Sequence, residues 1–234
     1  MAAEVNILRK LLSHSTVGRI VVLAGLAASN WSCAPTSPAK CDALQLSALE
    51  AMVREQISPE QIATQVMAAY SVSRDAIVEY QEATPNLVAV DWNTRGQGFS
   101  ALFDNGRLRK IDQYFHDTKV TVDDLLACLG QPDSYSATFR WGPERRVLDL
   151  SLYYPQQGLI ASAYVFTRAN AAPSIDGGLT IDWLAVTEPG DIRQVMASSH
   201  TYPQSPDTLD EMLQQISRWP GSLDLIVVDD QTAE

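Results

Sequence analysis

The chain has 234 residues, 46% of them hydrophobic, and a formal net charge of −11. That content supports a buried core and argues against global disorder, while the acidic balance repels nucleic-acid phosphate and anionic lipid. His14, His116 and His200 are scattered, with no Cys or His neighbours at metal-ligand spacing, so neither a zinc site nor another cofactor is expected.

In chain order, Arg9, Lys10 and Arg19 precede the apolar run "IVVLAGLAA", Ile20 to Ala28, and small and polar residues follow it. A basic start, an apolar stretch of roughly 7–15 residues and a small-residue exit describe a secretory signal. A membrane-spanning helix needs roughly 20 apolar residues; even Val17 to Trp31 falls short and includes Arg19, Ser29 and Asn30. The exit has two readings. Asn30-Trp31-Ser32-Cys33 keeps the small residue that precedes a lipid-modified cysteine, which makes Cys33 the candidate lipid attachment; cleavage after Ala27-Ala28-Ser29 gives a secreted chain instead. Residues 1–33 are thus expected to be a signal or anchor, and residues 34–41, with Pro35 and Pro38, a short tether. Everything beyond Ser32 carries 14 basic and 27 acidic side chains, a net −13.

Residues 42–83 read as helical. Leu46, Leu49, Met52 and Val53 recur at helical spacing, and "SPEQIATQVMAAY" opens a second helix with Ser58 as N-cap, Pro59 at the first position and Gln61 at the third. Ile62, Val66, Ala69 and Tyr70 form its stripe. Alternation then predicts strands near 86–92, 97–103 and 107–113, with Asp104-Asn105-Gly106 as a hairpin turn. Within the third of these, "RLRK", Arg107 to Lys110, reads as a solvated strand face.

Thr121 caps a helix carrying Val122, Leu125, Leu126 and Leu129 and ended by Gly130. Asp123 and Asp124 suit its first turn, where the helix dipole favours negative charge. "SYSATFRW", "RVLDLSLYYP" and "GLIASAYVFT" follow as strands, with "GPERRV" between the first two as a hairpin tip. A looser part comes next: the turn "AAPSIDGG", the strand "LTIDWLAV", a helix capped by Asp207 or Thr208, and "SLDLIVVDD" as a closing strand. The expected fold is α+β, with two helix-plus-antiparallel-meander units in residues 42–117 and 118–234 and the helices on one face of the sheet. The shared order of the halves suggests an internal duplication.

From Val120 to Ile160 the Thr-initiated helix, the turn Leu129-Gly130-Gln131-Pro132 and the strand Leu150-Ser151-Leu152-Tyr153-Tyr154-Pro155 resemble a group of uncharacterised bacterial lipoproteins. The outline is similar to the SmpA/OmlA (BamE-like) lipoproteins of outer-membrane assembly, and also resembles the β-lactamase inhibitor proteins with their tandem helix-plus-meander units. The resemblance implies an envelope location and transfers no functional residue.

No Gly-x-Ser-x-Gly, phosphate loop or Ser-His-Asp arrangement is present, so no catalytic residue is named and a non-enzymatic role is expected. Trp141, Tyr153 and Tyr154 are the candidate partner contacts; Tyr153 and Tyr154 are adjacent, so if one is buried the other should be exposed. Cys128 reads as a small packed hydrophobe, with a Cys41–Cys128 disulfide as the alternative in an oxidising compartment. The expected protein is exported, tethered to the extracytoplasmic side of a membrane by its N-terminus, and binds another protein or an envelope component. Two alternatives stand beside it: a secreted small-molecule-binding module, and a helix-turn-helix DNA-binding protein in which "SVSRDAI" begins the recognition helix with Ser73 and Arg74 toward DNA.

Overall fold

A computed structural model describes residues 41–42, 44–82, 84, 86–141, 145–168, 175–200, 204–226 and 228–230. The leader, Cys33 and the tether up to residue 40 lie outside the described residues, as do residues 142–144 of "GPERRV".

Helix α1 (Leu46–Arg54) buries Leu49, Met52 and Val53, and α2 (Pro59–Tyr70) buries Ile62 and Val66. The start of α2 is set by Pro59 at its first position and by Gln61, whose Oε1 accepts the Ser58 N–H at 3.0 Å. The helical stretch ends earlier than the periodicity suggests. Ser71 turns into the left-handed region (φ 54°), Arg74–Ala76 make a single 3-10 turn, and β1 (Ile77–Gln81) pairs antiparallel with β2 (Leu87–Thr94). Ile77, opposite Trp92, is the buried residue that pins this register. "SVSRDAI" therefore leads into a strand, and no recognition helix follows α2; the helix-turn-helix geometry is corrected on that ground.

Next come β3 (Gln97–Asp104) and β4 (Arg107–Phe115), joined by a turn in which Asn105 and Gly106 both take positive φ, as a tight primed hairpin requires. In β4 the register shifts: Phe103 opposes Leu108, but Leu102 opposes Lys110, so Arg109 is an extra, bulged residue. A bulge re-aims the side chains that follow it. Without it Lys110 would share the core face of Leu108; with it, Ile111 enters the core and Lys110 and Asp112 turn to the opposite face.

Helix α3 (Val122–Leu129) is capped reciprocally. Thr121 Oγ1 accepts the Asp124 N–H at 3.2 Å, and Asp124 Oδ2 accepts the Thr121 N–H at 3.0 Å. Cys128 near its end is bonded to Cys41, with Cα atoms 5.6 Å apart; it is not a free packed thiol. Then β5 (Ser134–Trp141), β6 (Arg145–Tyr154) and β7 (Leu159–Arg168) run as a meander, and β8 (Trp183–Thr187) lies between β7 and β4. The sheet order is β1-β2-β3-β4-β8-β7-β6-β5, antiparallel throughout. The outer edge of β5 takes two short pieces, β9 (Ser217–Arg218) antiparallel and β10 (Asp229–Asp230) parallel.

The β6–β7 turn depends on Gly158, at φ 67°. A Cβ there would meet the Thr187 carbonyl oxygen and stand 2.9 Å from the Pro189 nitrogen, both backbone atoms that cannot swing aside. Gly158→Ala is expected to cost about 3 kcal/mol or more, through strain added to overlap. At Gly106, with φ 77° and open space around it, the same change should cost only about 1 kcal/mol, from backbone strain alone. Urea midpoints of the two variants, compared with wild type, check the contrast.

Helices pack on both faces, not one. The larger core lies under α1, α2 and α3 and takes Trp92, Phe103, Leu148, Leu150, Leu152 and Tyr154 from the sheet. The opposite face carries a smaller core in which Val195 and Met196 of α4 (Ile192–Ser199) and Leu209 of α5 (Pro206–Gln214) meet Tyr153, Ile160 and Ala185. Strand alternation requires this division, because Tyr153, Ile160 and Ala185 point away from their core-facing neighbours. Helix α4 begins at an Asp191–Gln194 capping box, and α5 begins at Ser205, whose Oγ accepts the Thr208 N–H at 3.1 Å; neither Asp207 nor Thr208 is the cap.

Candidate functional site

The face that α4 and α5 only partly cover holds an open cleft of about 550 Å³. Its floor is a cross-strand row of small hydroxyl residues. Ser162 of β7 opposes Ser151 of β6, which opposes Ser136 of β5. Ser151 and Ser162 are hydrogen-bonded at 2.8 Å, and Ser136 meets the Tyr153 hydroxyl at 2.9 Å. Larger side chains rise on either side: Tyr153, Ile160 and Met196 on the side of α4, and Tyr164 with Asp149 on the other.

Lys110 and Asp112, set on this face by the bulge, form a buried ion pair with Nζ 2.6 Å from Oδ2 and side chains only 7% and 8% exposed. "RLRK" is therefore not a solvated strand face: Leu108 is core and Lys110 is paired inside. Burial pushes the Asp112 carboxyl above the usual carboxylate range, against the opposing pull of Lys110. Its Oδ1 is buried and has no hydrogen-bond partner among the described residues. Tyr114 donates weakly to Asp112 Oδ2 at 3.5 Å, and burial with the nearby carboxylates of Asp112 and Asp91 raises its phenol.

His200 closes the α4 end of the cleft. Burial, followed by the charges of Lys110 and Arg109, holds its pKa below 6.5. A histidine kept neutral in the fold but free to protonate when unfolded contributes stability that is complete above pH 6.5 and is lost as pH falls through the window beneath it. Urea midpoints measured through that window should fall for the wild type, and His200→Gln should flatten the decline. Equal slopes for the two proteins would refute it.

On the far side, Tyr164 is 38% exposed and lies between two carboxylates. Asp149 is its register partner on β6, and Asp182 Oδ2 accepts the Tyr164 N–H at 2.6 Å. The Trp183 Nε1–H donates to the Tyr164 hydroxyl at 3.2 Å, fixing the ring.

No family model, curated protein or solved structure matches the chain. Its site is therefore read from its own residues. Tyr153 and Tyr154 do face opposite sides of β6, but both are buried, at 5% and 3% exposure, because both faces are covered there. Tyr154 donates to the Gly130 carbonyl at 3.2 Å, inside the larger core. Neither is a surface contact. Trp141 ends β5, and its side chain lies outside the described residues, as does Cys33. The residues the structure brings together instead are Lys110, Asp112, Asp149, Tyr164, Asp182 and His200. A readable signal for part of this set existed in "LDLSLYY" and "LIASAYVFT", where Asp149, Ser151, Ser162 and Tyr164 alternate with apolar residues and so must share one face.

Proposed function

We propose that this is an exported, non-enzymatic envelope protein, tethered through Cys33 by the signal-like leader, that binds a protein partner with the sheet face left bare by α4 and α5. The observation that carries the reading is the exposed apolar and aromatic set on that face: Val78 and Tyr80 on β1, Tyr114 on β4 and Phe166 on β7, from 39% to 66% exposed. Large aromatic side chains supply rigid contact area at interfaces. The Cys41–Cys128 bond supports an oxidising compartment, where structural disulfides persist. The meanders β1–β4 and β5–β8, each preceded by helix and meeting at the β4–β8 pair, support the reading of two duplicated helix-plus-meander units and accord with the lipoprotein resemblance.

Labelled fatty acid fed to producing cells should enter the wild type and not Cys33→Ala, and the variant should leave the membrane fraction. Recovery of the full-length chain in the cytosol with its leader intact would overturn the export reading. For the face, photo-crosslinkers at Phe166 and Tyr80 should trap one envelope protein that a crosslinker at Met67, exposed on the outer side of α2, does not. Identical products from all three positions would count against it. A second reading, a small-molecule module, is favoured by the cleft.

A further inference from the structure

We infer that the open edge of β1 pairs with the same edge of a second copy of the chain, antiparallel across a two-fold axis, so that two sheets become one. The inference rests on the partner-face reading in one respect, since Tyr80 belongs both to that face and to this edge. It also deepens that reading, because an axis perpendicular to the sheet sets the bare faces of two copies side by side as one surface. The sheet has two ends, and only one is closed. Strands β9 and β10 lie against the outer side of β5, whereas among the described residues no strand pairs with the outer side of β1. Four of its five residues, Val78 to Gln81, are exposed, and it carries neither the proline nor the lysine that commonly guards a free edge.

The ladder fixes how the edges meet. The Glu82 N–H donates to the Leu87 carbonyl at 2.9 Å, and bonded pairs alternate along an antiparallel ladder. Val78 and Tyr80 therefore turn their backbone groups to β2, while Ile77, Glu79 and Gln81 turn theirs outward. Ile77 is already satisfied by its neighbour: its N–H donates to the Arg74 carbonyl, and its own carbonyl accepts from Arg74 Nη1 at 3.3 Å. Among the described residues that leaves Glu79 and Gln81, with one N–H and one C=O each. Three two-fold registers bring outward residues of β1 together. One centred on Val78 sets the occupied Ile77 against Glu79. One centred on Glu79 sets two like carboxylates directly opposite each other, a destabilising pair. Centred on Tyr80, Glu79 of each copy exchanges both bonds with Gln81 of the other, so all four groups on each side close. The same register puts a neutral side chain before each Glu79 and brings the two Tyr80 residues together as a non-hydrogen-bonded pair, where side chains approach most closely.

The test is sedimentation of the chain purified from producing cells, with Cys33→Ala to remove the tether and a free thiol. Small interfaces are weak and transient, so the concentration runs from about 10 µM to about 1 mM. The average mass should rise from one chain to two. Glu79→Pro removes only an outward N–H and spares the ladder to β2; it should abolish the rise and leave the urea midpoint in place. Gln81→Lys sets an ammonium before each Glu79 of the dimer and should tighten it about threefold or more. Adding Glu79→Gln should cancel that gain, whereas in the Val78-centred register Lys would face Asp75 and keep it. In producing cells, a photo-crosslinker at Tyr80 should add a product of two copies that one at Phe166 does not give. A chain that stays single to the highest concentration overturns the proposal. So does a dimer indifferent to Glu79→Pro and Gln81→Lys, which is built elsewhere. A Tyr80 product with another protein and none with a second copy overturns it too, because the edge then takes a foreign strand. Loss of the envelope product at Phe166 with the dimer intact counts against the partner face alone.

Discussion

Replacing Cys41 and Cys128 by serine should lower the stability of the fold by about 4–5 kcal/mol, because the bond closes a loop spanning 87 positions and a cross-link of that reach strongly restricts the unfolded chain. A domain of this kind is stable by only about 5–15 kcal/mol, so the loss is a large fraction of the whole. The bond fixes the first described residues of the chain to the end of α3, whose own hold on the core is Val122, Leu125 and the Thr121–Asp124 cap. Urea denaturation of the oxidised wild type, the reduced wild type and the double variant checks this, in a Cys33→Ala background to prevent mispairing. The reduced and serine forms should share one lowered midpoint, and reductant should not move the double variant. Coincident midpoints for all three would refute it.

The second large effect is expected at the buried pair. Asp112→Ala leaves the Lys110 ammonium without its countercharge at a site only 7% exposed, and should cost about 3–5 kcal/mol. Lys110→Met strands the carboxylate instead, but with a different pH signature. Asp112 is already held above the usual carboxylate range by burial, and loss of Lys110 raises it further. A carboxyl whose folded pKa is raised binds its proton more readily in the native state, so its unfavourable contribution disappears as pH falls through the folded value. The Lys110→Met deficit should therefore shrink on acidification, while the Asp112→Ala deficit persists. Replacing both residues by Met and Leu should restore stability to within about 1 kcal/mol of wild type or above it, since a desolvated pair is often no better than packed apolar side chains. Denaturation of the three variants at neutral and mildly acidic pH separates these outcomes.

How much of this was legible in the sequence differs from element to element. Helices announced by caps were readable: Ser58-Pro59 and Thr121 stand at the starts of α2 and α3, and Asn105-Gly106 makes its hairpin. Helix α4 had an equally clear Asp191–Gln194 box, but only Ile192, Val195 and Met196 to mark its apolar side, too few to stand out. Strand β1 was hidden because Ile77 is its sole buried residue and α2 runs almost up to it. The bulge at Arg109 was beyond reach, since it exists only by comparison with the partner strand, and the whole placement of Lys110 and Asp112 follows from it. The expectation that one of Tyr153 and Tyr154 would be exposed failed for a related reason, since both are buried. Alternation tells which residues share a face, but not whether a later helix will roof that face.

The position of β8 has a consequence for assembly. Its five residues, Trp183–Thr187, are what join the ladder begun by β1–β4 to the one begun by β5–β7. Until they arrive, β4 and β7 each offer a raw row of backbone donors and acceptors, the kind of edge on which chains stick to one another. A polypeptide halted anywhere before Trp183 is thus two unfinished ribbons rather than a smaller version of the protein, and truncations in that region should give insoluble material.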